Sequence, residues 1–429
     1  MPSPAQSEVE LTAARERPWL FNFLIAPDAV VSIGLIGGAL SFLLRNEGVN
    51  PAHAASIVAL LSIPHVIYFL WGPLTDFYLA RRTWLLLTAA ASGAVMLLAF
   101  RQPGLGTRWA VGLMFLSACL GNCVAAACGG IMGTLGSEKG RRRAGSFYQS
   151  GSLAFGGLTV FALVSLSGRI NLHGLGWILA ALIALPGLAA LAAPANPVTA
   201  APTARATGAR IWGEFRATFL RWQAIPYTAL ILSPLSSGAM IGLLPELARD
   251  YGVSGAEVAW MNGFGGALLM AAGAVAATLI PVRVRAPMAY VAVGFANAAT
   301  LALLAAGPLR PAVYFAGTLL FLFTIGMGYA VFTAVTLEFL GQSGKSGSAR
   351  YAIINSLGNL PVAYMSWVDG RGYAHWGPRA MPGIDAILTA AAGSVLLAHF
   401  VVSQRLRKAA RSEQQAGSSI AARRSAEEL

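Results

Sequence analysis

Long apolar runs separated by short polar connections dominate the chain. A helix needs about 20 apolar residues to cross the hydrocarbon core of a bilayer, and twelve of the runs have this length. The pattern therefore predicts twelve transmembrane helices, at residues 19–44, 52–71, 83–101, 108–134, 145–168, 173–193, 225–248, 255–280, 287–306, 311–339, 349–369 and 381–403.

The composition favours a membrane protein over a soluble one. Hydrophobic residues make up 56% of the 429 positions and charged residues only 11%, whereas a soluble domain has about 25% charged residues. The net charge of +13 raises the question of nucleic acid, but the basic residues are spread between the apolar runs. They form no patch with interleaved aromatic residues. We therefore predict a lipid bilayer as the environment and no nucleic-acid partner.

The positions of the basic residues predict the orientation in the membrane. With the N-terminus placed inside, 22 of the 30 Lys and Arg residues lie in the termini and connections on that side, and 8 lie on the other side. Cytoplasmic connections of membrane proteins carry an excess of Lys and Arg. Both termini are therefore predicted to lie in the cytoplasm.

An internal repeat divides the chain into halves. Residues 43–49 (LLRNEGV) correspond to residues 247–253 (LARDYGV) at an offset of 204, and the same offset relates the starts of spans five and eleven. Parallel six-helix repeats around a midplane site are a known transporter architecture. The predicted domains are an N-terminal segment (1–18), a six-helix bundle (19–193), a cytoplasmic linker (194–224), a second six-helix bundle (225–403) and a basic tail (404–429).

The connection after span two contains Gly72, then Asp76, then the basic pair Arg81 and Arg82. This spacing resembles the signature of the major facilitator superfamily. A carboxylate can cap a helix end, and guanidinium groups interact favourably with helix C-terminal carbonyls. Contacts made in only one conformation would bias an alternating-access equilibrium. We predict that these four residues form a conformational gate; a plain turn carrying basic residues is the alternative.

Three stretches make the chain similar to one branch of that superfamily, the bacterial AmpG-like muropeptide permeases and their acetyl-CoA transporter relatives. They are residues 69–76, 140–157 (GRRRAGSFYQSGSLAFGG) and 349–360, which lie in both halves. The resemblance implies a major facilitator fold and proton-coupled import across a bacterial inner membrane. The chain differs from the branch in span four, where it has Asn122 and Cys123 and the branch often carries carboxylates.

Ionisable residues inside spans are the candidates for proton coupling, because such groups are costly in a membrane and are generally functional. Asp28 follows Pro27 in span one and is the leading candidate; pairing with a cytoplasmic arginine near the membrane interface, or capping of a helix break, is the alternative. His65 in span two is a candidate proton relay, or a histidine used in helix packing. Glu338 lies late in span ten, near Lys345, where a salt bridge or gate is the alternative to coupling.

Neutral polar side chains at the predicted interface between the halves are candidates for substrate binding. In membrane proteins such groups also form hydrogen bonds between helices, which is the alternative. They are Asn22, Asn122, Tyr148, Gln149, Asn262, Asn355 and Asn359. Asp369 and Arg371, at the end of span eleven, are expected to pair outside the membrane.

No arrangement of a nucleophile with a base, and no phosphate-binding loop, is evident in the sequence. The three cysteines all lie in span four and are too few to hold a metal. We therefore predict no enzymatic activity, cofactor or metal, and a monomeric secondary transporter of a small amphipathic solute, coupled to protons. Proton-coupled efflux of drugs or metabolites, and a non-transporting sensor on the same scaffold, remain the alternatives.

Overall fold

In the computed structural model the described residues are 16–194, 224–340 and 347–427, with isolated positions between 209 and 220. Regular secondary structure in these ranges is helical, as predicted. Most of the predicted linker (194–224) and of the N-terminal segment (1–18) lies outside the described residues. The predicted tail (404–429) is helical as far as Glu427.

The helices follow the twelve predicted spans, which confirms the all-α membrane fold. Nine spans among the described residues are continuous helices long and apolar enough to cross a membrane, and the other three are broken in two. The spans are α1 Pro18–Asn46, α2 His53–Leu70, α3 Arg81–Ala99, α4 Arg108–Met132, α5 Glu138–Leu166, α6 Leu172–Ala192, α7a Ile225–Ile231 and α7b Ala239–Leu247, α8a Gly255–Asn262 and α8b Phe264–Leu279, α9 Ala286–Ala306, α10 Pro311–Leu340, α11a Gly347–Gly358 and α11b Leu360–Trp376, and α12 Ala380–Glu427.

The three breaks all occur in the second half, and each has a local cause. Between α7a and α7b the chain contains Pro234, which lacks an amide hydrogen, and Gly238 at φ 76°. Glycine adopts this left-handed conformation without steric cost. The break between α8a and α8b falls at Gly263, and that between α11a and α11b at Asn359, just before Pro361. Hydrophobicity continues across these positions, so the spans were predicted as single helices.

Side chains from other helices bind the carbonyl groups that the break in α7 exposes. In a bilayer, interrupted helices are tolerated only where the freed backbone groups find such partners. The donors are hydroxyl groups of three helices: Tyr364 of α11b to the carbonyl of Leu232 (2.9 Å), Thr389 of α12 to that of Pro234 (3.5 Å), and Tyr290 of α9 to that of Leu235. These contacts stabilise the break.

Helix α11 extends further than its predicted end at residue 369. Because α11b continues to Trp376, Asp369 lies within the helix and is fully buried. Arg371 stacks on Trp367, with 4.3 Å between its guanidinium carbon and the ring centroid. The expectation that Asp369 pairs with Arg371 outside the membrane is therefore wrong.

Helix α5 connects the two sets of six helices. It packs against α8b and α10 along much of its length, and its Leu153 belongs to the apolar cluster built from the last six helices. Within those six, glycines let the backbones of α8b and α10 touch. A Cβ atom added at Gly273 would lie 2.0 Å from the carbonyl oxygen of Phe323.

This close approach predicts a position-specific effect of adding one methyl group. Gly273→Ala should lower the thermal unfolding midpoint of the purified protein, because α8b and α10 must separate. The control is Gly112→Ala in α4, where an added Cβ meets no atom within 4 Å. In that variant the midpoint should hold or rise, because alanine is favoured over glycine in helices by about 1 kcal/mol. Equal midpoints for both variants would contradict the described packing.

Candidate functional site

A cavity of about 320 Å³ lies between the first six and the last six helices. Its walls come from α1, α2, α4 and α5 on one side and from α7, α9, α10 and α11 on the other. Ligand pockets generally measure about 300–1,000 Å³, so the cavity can hold a small solute. Its lining is a mixture of hydroxyl, amide and aromatic groups.

Asp28 is half-buried and lines this cavity, and its Oδ1 atom is buried. It precedes a stretch of α1, Val30–Ala39, in which the helix widens to π-helical geometry, a feature often found at functional sites. Helix α4 comes close to the carboxylate because residue 121 is glycine: an added Cβ there would lie 3.2 Å from Asp28 Oδ1. That oxygen has no hydrogen-bond partner among the described residues and can bind a proton or a ligand.

His65 of α2 is fixed by Asn122 of α4, with 3.0 Å between Nδ1 and the amide oxygen Oδ1. The Asn122 amide nitrogen donates to the carbonyl of Ala118 at 2.8 Å, so its oxygen is the acceptor. Nδ1 of His65 therefore carries a hydrogen. The other ring nitrogen, Nε2, is buried and has no described partner, so in the neutral ring it is a free acceptor. His65 lies close enough to Asp28 to interact electrostatically with it.

Several contacts across the cavity join the two sets of helices. Gln149 of α5 donates to the hydroxyl of Thr333 in α10 at 2.9 Å. Asn359, at the break in α11, donates to the backbone carbonyl of His65 at 3.4 Å. The rings of Tyr148 and Tyr351 meet edge to face, with their centroids 6.1 Å apart. The cavity is thus enclosed by both halves.

The wall formed by the second half was largely missed by the sequence analysis. Its residues are serines at the break in α7 and aromatic residues of α9 and α10: Ser233, Ser236, Ser237, Tyr290, Tyr329 and Phe332. Serine and tyrosine are common in membrane helices and give no signal of their own. The nearby Pro234 and Gly238, however, are typical of a helix break, and a break within a span indicates a binding site.

The structure brings together most of the predicted site residues. Those that line the cavity are Asp28, His65, Asn122, Tyr148, Gln149, Asn355 and Asn359. Asn22 is half-buried and not part of the lining; its backbone packs against Gly151 of α5. Glu338 lies away from the cavity, at the helix ends described next. The side chain of Asn262 lies outside the described part of the chain.

The helix ends that carry Arg81, Arg142 and Arg285 form one end of the molecule, here called the basic end. Asp76 lies there and joins the halves. Its carboxylate accepts hydrogen bonds from Arg81, with Nη2 to Oδ1 at 2.7 Å, and from the backbone N–H groups of Ser348 (3.2 Å) and Ala349 (3.0 Å) at the start of α11a. A carboxylate at a helix N-terminus binds the unpaired N–H groups and the positive end of the helix dipole. Asp76 therefore links the two halves at this end.

The other predicted gate residues lie beside this contact. Arg81 also donates to the carbonyl of Gly130 near the end of α4, at 3.2 Å. Gly72 lets α11a approach, because an added Cβ there would lie 3.1 Å from the Cβ of Ala352. Arg82 is exposed.

A second junction at the basic end involves Glu338. Its carboxylate accepts from the backbone N–H of Ala286 (3.0 Å) and lies 3.4 Å from a guanidinium nitrogen of Arg285. Arg142 of α5 lies 3.8 Å from the same carboxylate and donates to the carbonyl of Val284 at 2.6 Å. Glu338 is therefore part of a charged network between the halves; Lys345, its expected partner, lies outside the described residues.

A polar cavity between two sets of membrane-spanning helices, closed at one end by ionic contacts, is the arrangement of a membrane transport protein. The family model described as Major Facilitator Superfamily matches residues 28–364. The chain belongs to this family and is a secondary transporter.

Solved structures share the fold. The human organic anion transporter MFSD10 (TETRAN) superposes with a TM-score of 0.68 at 17% identity, over 90% of this chain and 99% of that one. The proton:xylose symporter XylE bound to 6-bromo-6-deoxy-D-glucose superposes with a TM-score of 0.62 at 16% identity, over 91% and 94%. No curated protein matches the sequence. The AmpG-like branch stays a prediction.

The buried Asp76–Arg81 pair should be important for stability. Asp76→Ala should destabilise the protein by about 3–5 kcal/mol, because removing one partner leaves a buried charge uncompensated. Glu138→Ala removes the exposed partner of Arg142 (2.6 Å) and should cost no more than about 0.5 kcal/mol. Thermal unfolding midpoints of the two purified variants test this difference. A midpoint of Asp76→Ala equal to that of Glu138→Ala would contradict it.

Proposed function

We propose that the protein imports a small amphipathic solute across a bacterial cytoplasmic membrane together with protons, as a monomer that works by alternating access. In this proposal residues 19–193 and 225–403 move as two bodies around the cavity. The observation that carries it is a half-buried carboxylate, Asp28, beside an imidazole, His65, in a cavity between the halves. An acid that gains and loses a proton at the substrate site can link proton movement to transport.

The proposed orientation places the basic end and both termini in the cytoplasm, following the excess of Lys and Arg there. The Asp76 and Glu338 contacts then close the cytoplasmic end. In this proposal the described conformation is the one in which the cytoplasmic end is closed. To release the solute, the contacts of Asp76 with α11a must break.

The cavity chemistry supports a neutral or weakly charged solute. Neither Lys nor Arg is among the described lining residues, so nothing in the lining balances a densely anionic ligand. Hydroxyl and amide groups offer hydrogen bonds to a polar part of the solute. The rings of Tyr290, Tyr329 and Phe332 offer an apolar surface to the rest.

The direction of transport follows from the resemblance to AmpG-like permeases, which implies import. Thermal-shift measurements with muropeptides, siderophores, coenzyme A esters and drugs would select a transport probe. The most stabilising compound is then tested in proteoliposomes with an imposed pH gradient. Accumulation in the direction of proton flow supports symport. Export against the proton flow would indicate efflux, and binding without flux would indicate a sensor.

Proton coupling at Asp28 predicts that its substitution affects uphill accumulation and downhill counterflow differently. Asp28→Asn should abolish uphill accumulation of the selected probe, because the amide cannot bind and release a proton, but should keep downhill counterflow. The control is Asp250→Asn, whose carboxylate binds Tyr373 at 3.0 Å outside the cavity lining and should leave uphill accumulation intact. Unchanged uphill accumulation by Asp28→Asn would rule out this coupling role.

Gating by Asp76 predicts a change in accessibility. A single cysteine replaces Ser152 in the cavity wall, in a background without Cys119, Cys123 and Cys128. Asp76→Asn should increase labelling of this cysteine by an impermeant reagent added from the basic end, because the weaker contact with α11a favours the other state.

The matched control for this gate is Glu47→Gln. The Glu47 carboxylate also accepts from a backbone N–H, that of Leu105 at 2.8 Å, but both residues lie in connections within the first half. This variant should keep the original labelling pattern. If the cysteine at position 152 is labelled identically from both sides in Asp76→Asn and in the protein that keeps Asp76, then Asp76 is not a gate.

A further inference from the structure

A second pair of acidic side chains is buried away from the cavity. Asp369 of α11b and Asp385 of α12 are 0% and 3% exposed, and their carboxyl groups are within hydrogen-bonding range of each other. Asp385 Oδ1 also accepts from the hydroxyl of Thr389 at 2.9 Å. Among the described residues, neither oxygen of Asp369 has a hydrogen-bond donor.

Two carboxyl groups in contact need a positive partner. A carboxylate has only acceptor oxygens, so two ionised carboxylates in contact repel each other and cannot form a hydrogen bond. If one group is protonated, its O–H donates to the other group, and one of the buried orphan oxygens gains a partner. A fully buried Asp369 without a protein donor therefore points to a bound proton.

The charged and titratable groups around the pair are engaged elsewhere. The tyrosines and arginines on the neighbouring turns and helices have other partners. Tyr364 donates to the carbonyl of Leu232, Tyr290 to that of Leu235, Tyr373 to Asp250 (3.0 Å) and Arg379 to the carbonyl of Gly307 (3.3 Å), while Arg371 stacks on Trp367. None of these described groups neutralises the pair.

We propose that Asp369 and Asp385 bind one shared proton, forming a protonation site in the second half that is separate from Asp28. We further propose that Thr389 transmits the occupancy of this site to the break in α7. This inference does not depend on Asp28 carrying the coupled proton.

The transmission follows from the chemistry of one hydroxyl group. Thr389 has a single hydroxyl hydrogen and two acceptors, Asp385 Oδ1 at 2.9 Å and the carbonyl oxygen of Pro234 at 3.5 Å. When the shared proton leaves to water, both groups are carboxylates and Asp385 holds the Thr389 hydrogen. When the proton lies on Asp385, the neutral carboxyl group is a weaker acceptor than the carboxylate, so the Thr389 hydroxyl shifts toward the carbonyl of Pro234. The same break carries Ser233, Ser236 and Ser237 into the cavity wall.

Infrared pH titration of the purified full-length protein tests the shared proton. The absorption of a protonated carboxyl group should be present at neutral pH, and it should be lost in Asp369→Asn and in Asp385→Asn. Loss is expected because the side-chain amide of the introduced Asn donates a hydrogen bond to the remaining carboxylate. This hydrogen bond replaces the one that the shared proton made, so the remaining group stays ionised. Asp250→Asn should retain the absorption, and so should Asp28→Asn apart from any contribution of Asp28 itself.

Two outcomes would overturn the proton site. One is a carboxyl absorption that is the same in Asp369→Asn, Asp385→Asn and the unsubstituted protein. The other is an absorption that appears only when sodium is replaced by choline, which would show that the pair binds a metal cation. Size-exclusion chromatography checks whether either Asn variant is unfolded. If one is, Asp369→Glu takes its place; this variant keeps the carboxyl group and should retain the absorption.

The role of Thr389 is tested with a cysteine at Ser237 in the background without native cysteines. The mobility of a spin label attached to this cysteine should change with pH in the parent protein, and this pH dependence should be lost in Thr389→Val. Thr389→Ser keeps the hydroxyl and should preserve the dependence, as should Asp28→Asn. A pH dependence that survives in Thr389→Val would refute the transmission. Its loss in Asp28→Asn would assign the effect to the cavity instead.

Discussion

The absence of water in a bilayer core is the constraint on which this structure depends. Every backbone group freed by a helix break must find a partner inside the protein. At the break in α7 the partners are Tyr290, Tyr364 and Thr389, one from each of three other helices. These hydroxyl groups make it possible for an interrupted helix to lie beside the cavity. The interruption in turn places several short polar side chains of α7 against the cavity. A continuous helix would turn only one narrow face toward the cavity.

The two ends of the molecule are held by different kinds of contact. At the basic end, carboxylates bind helix N-terminal N–H groups and guanidinium groups; Asp76 is the clearest case, because its partners come from both halves. Near the opposite end, the ring contact of Phe161 with Phe264 joins α5 and α8b. Ionic contacts depend on geometry and are lost abruptly when helices move apart, whereas apolar surfaces can slide. A few directional contacts therefore suit a two-state closure, in which the states differ by only a few kcal/mol.

Much of the fold could be predicted from the sequence, because hydrophobic length alone determines where helices cross a membrane. The breaks could not be predicted from hydropathy, since the apolar runs continue through Pro234 and Gly263. Asp28 and His65 were recognised because ionisable groups inside a span are rare. Asn22 was selected by polarity alone, and the packing of α1 against α5 keeps it out of the lining. The partner of Asp369 was missed because the predicted end of span eleven was too early.

In the proposed mechanism the two halves rock about the cavity, so that one end opens as the other closes. Electron–electron distance measurements between spin labels test this most directly. One labelled pair replaces the exposed Arg45 and Arg249 at the end opposite the basic end, and a second replaces the exposed Arg82 and Arg283 at the basic end. In lipid nanodiscs, a change from neutral to acidic pH should shift the two distance distributions in opposite directions. Distributions that stay fixed, or that lengthen together, would contradict alternating access.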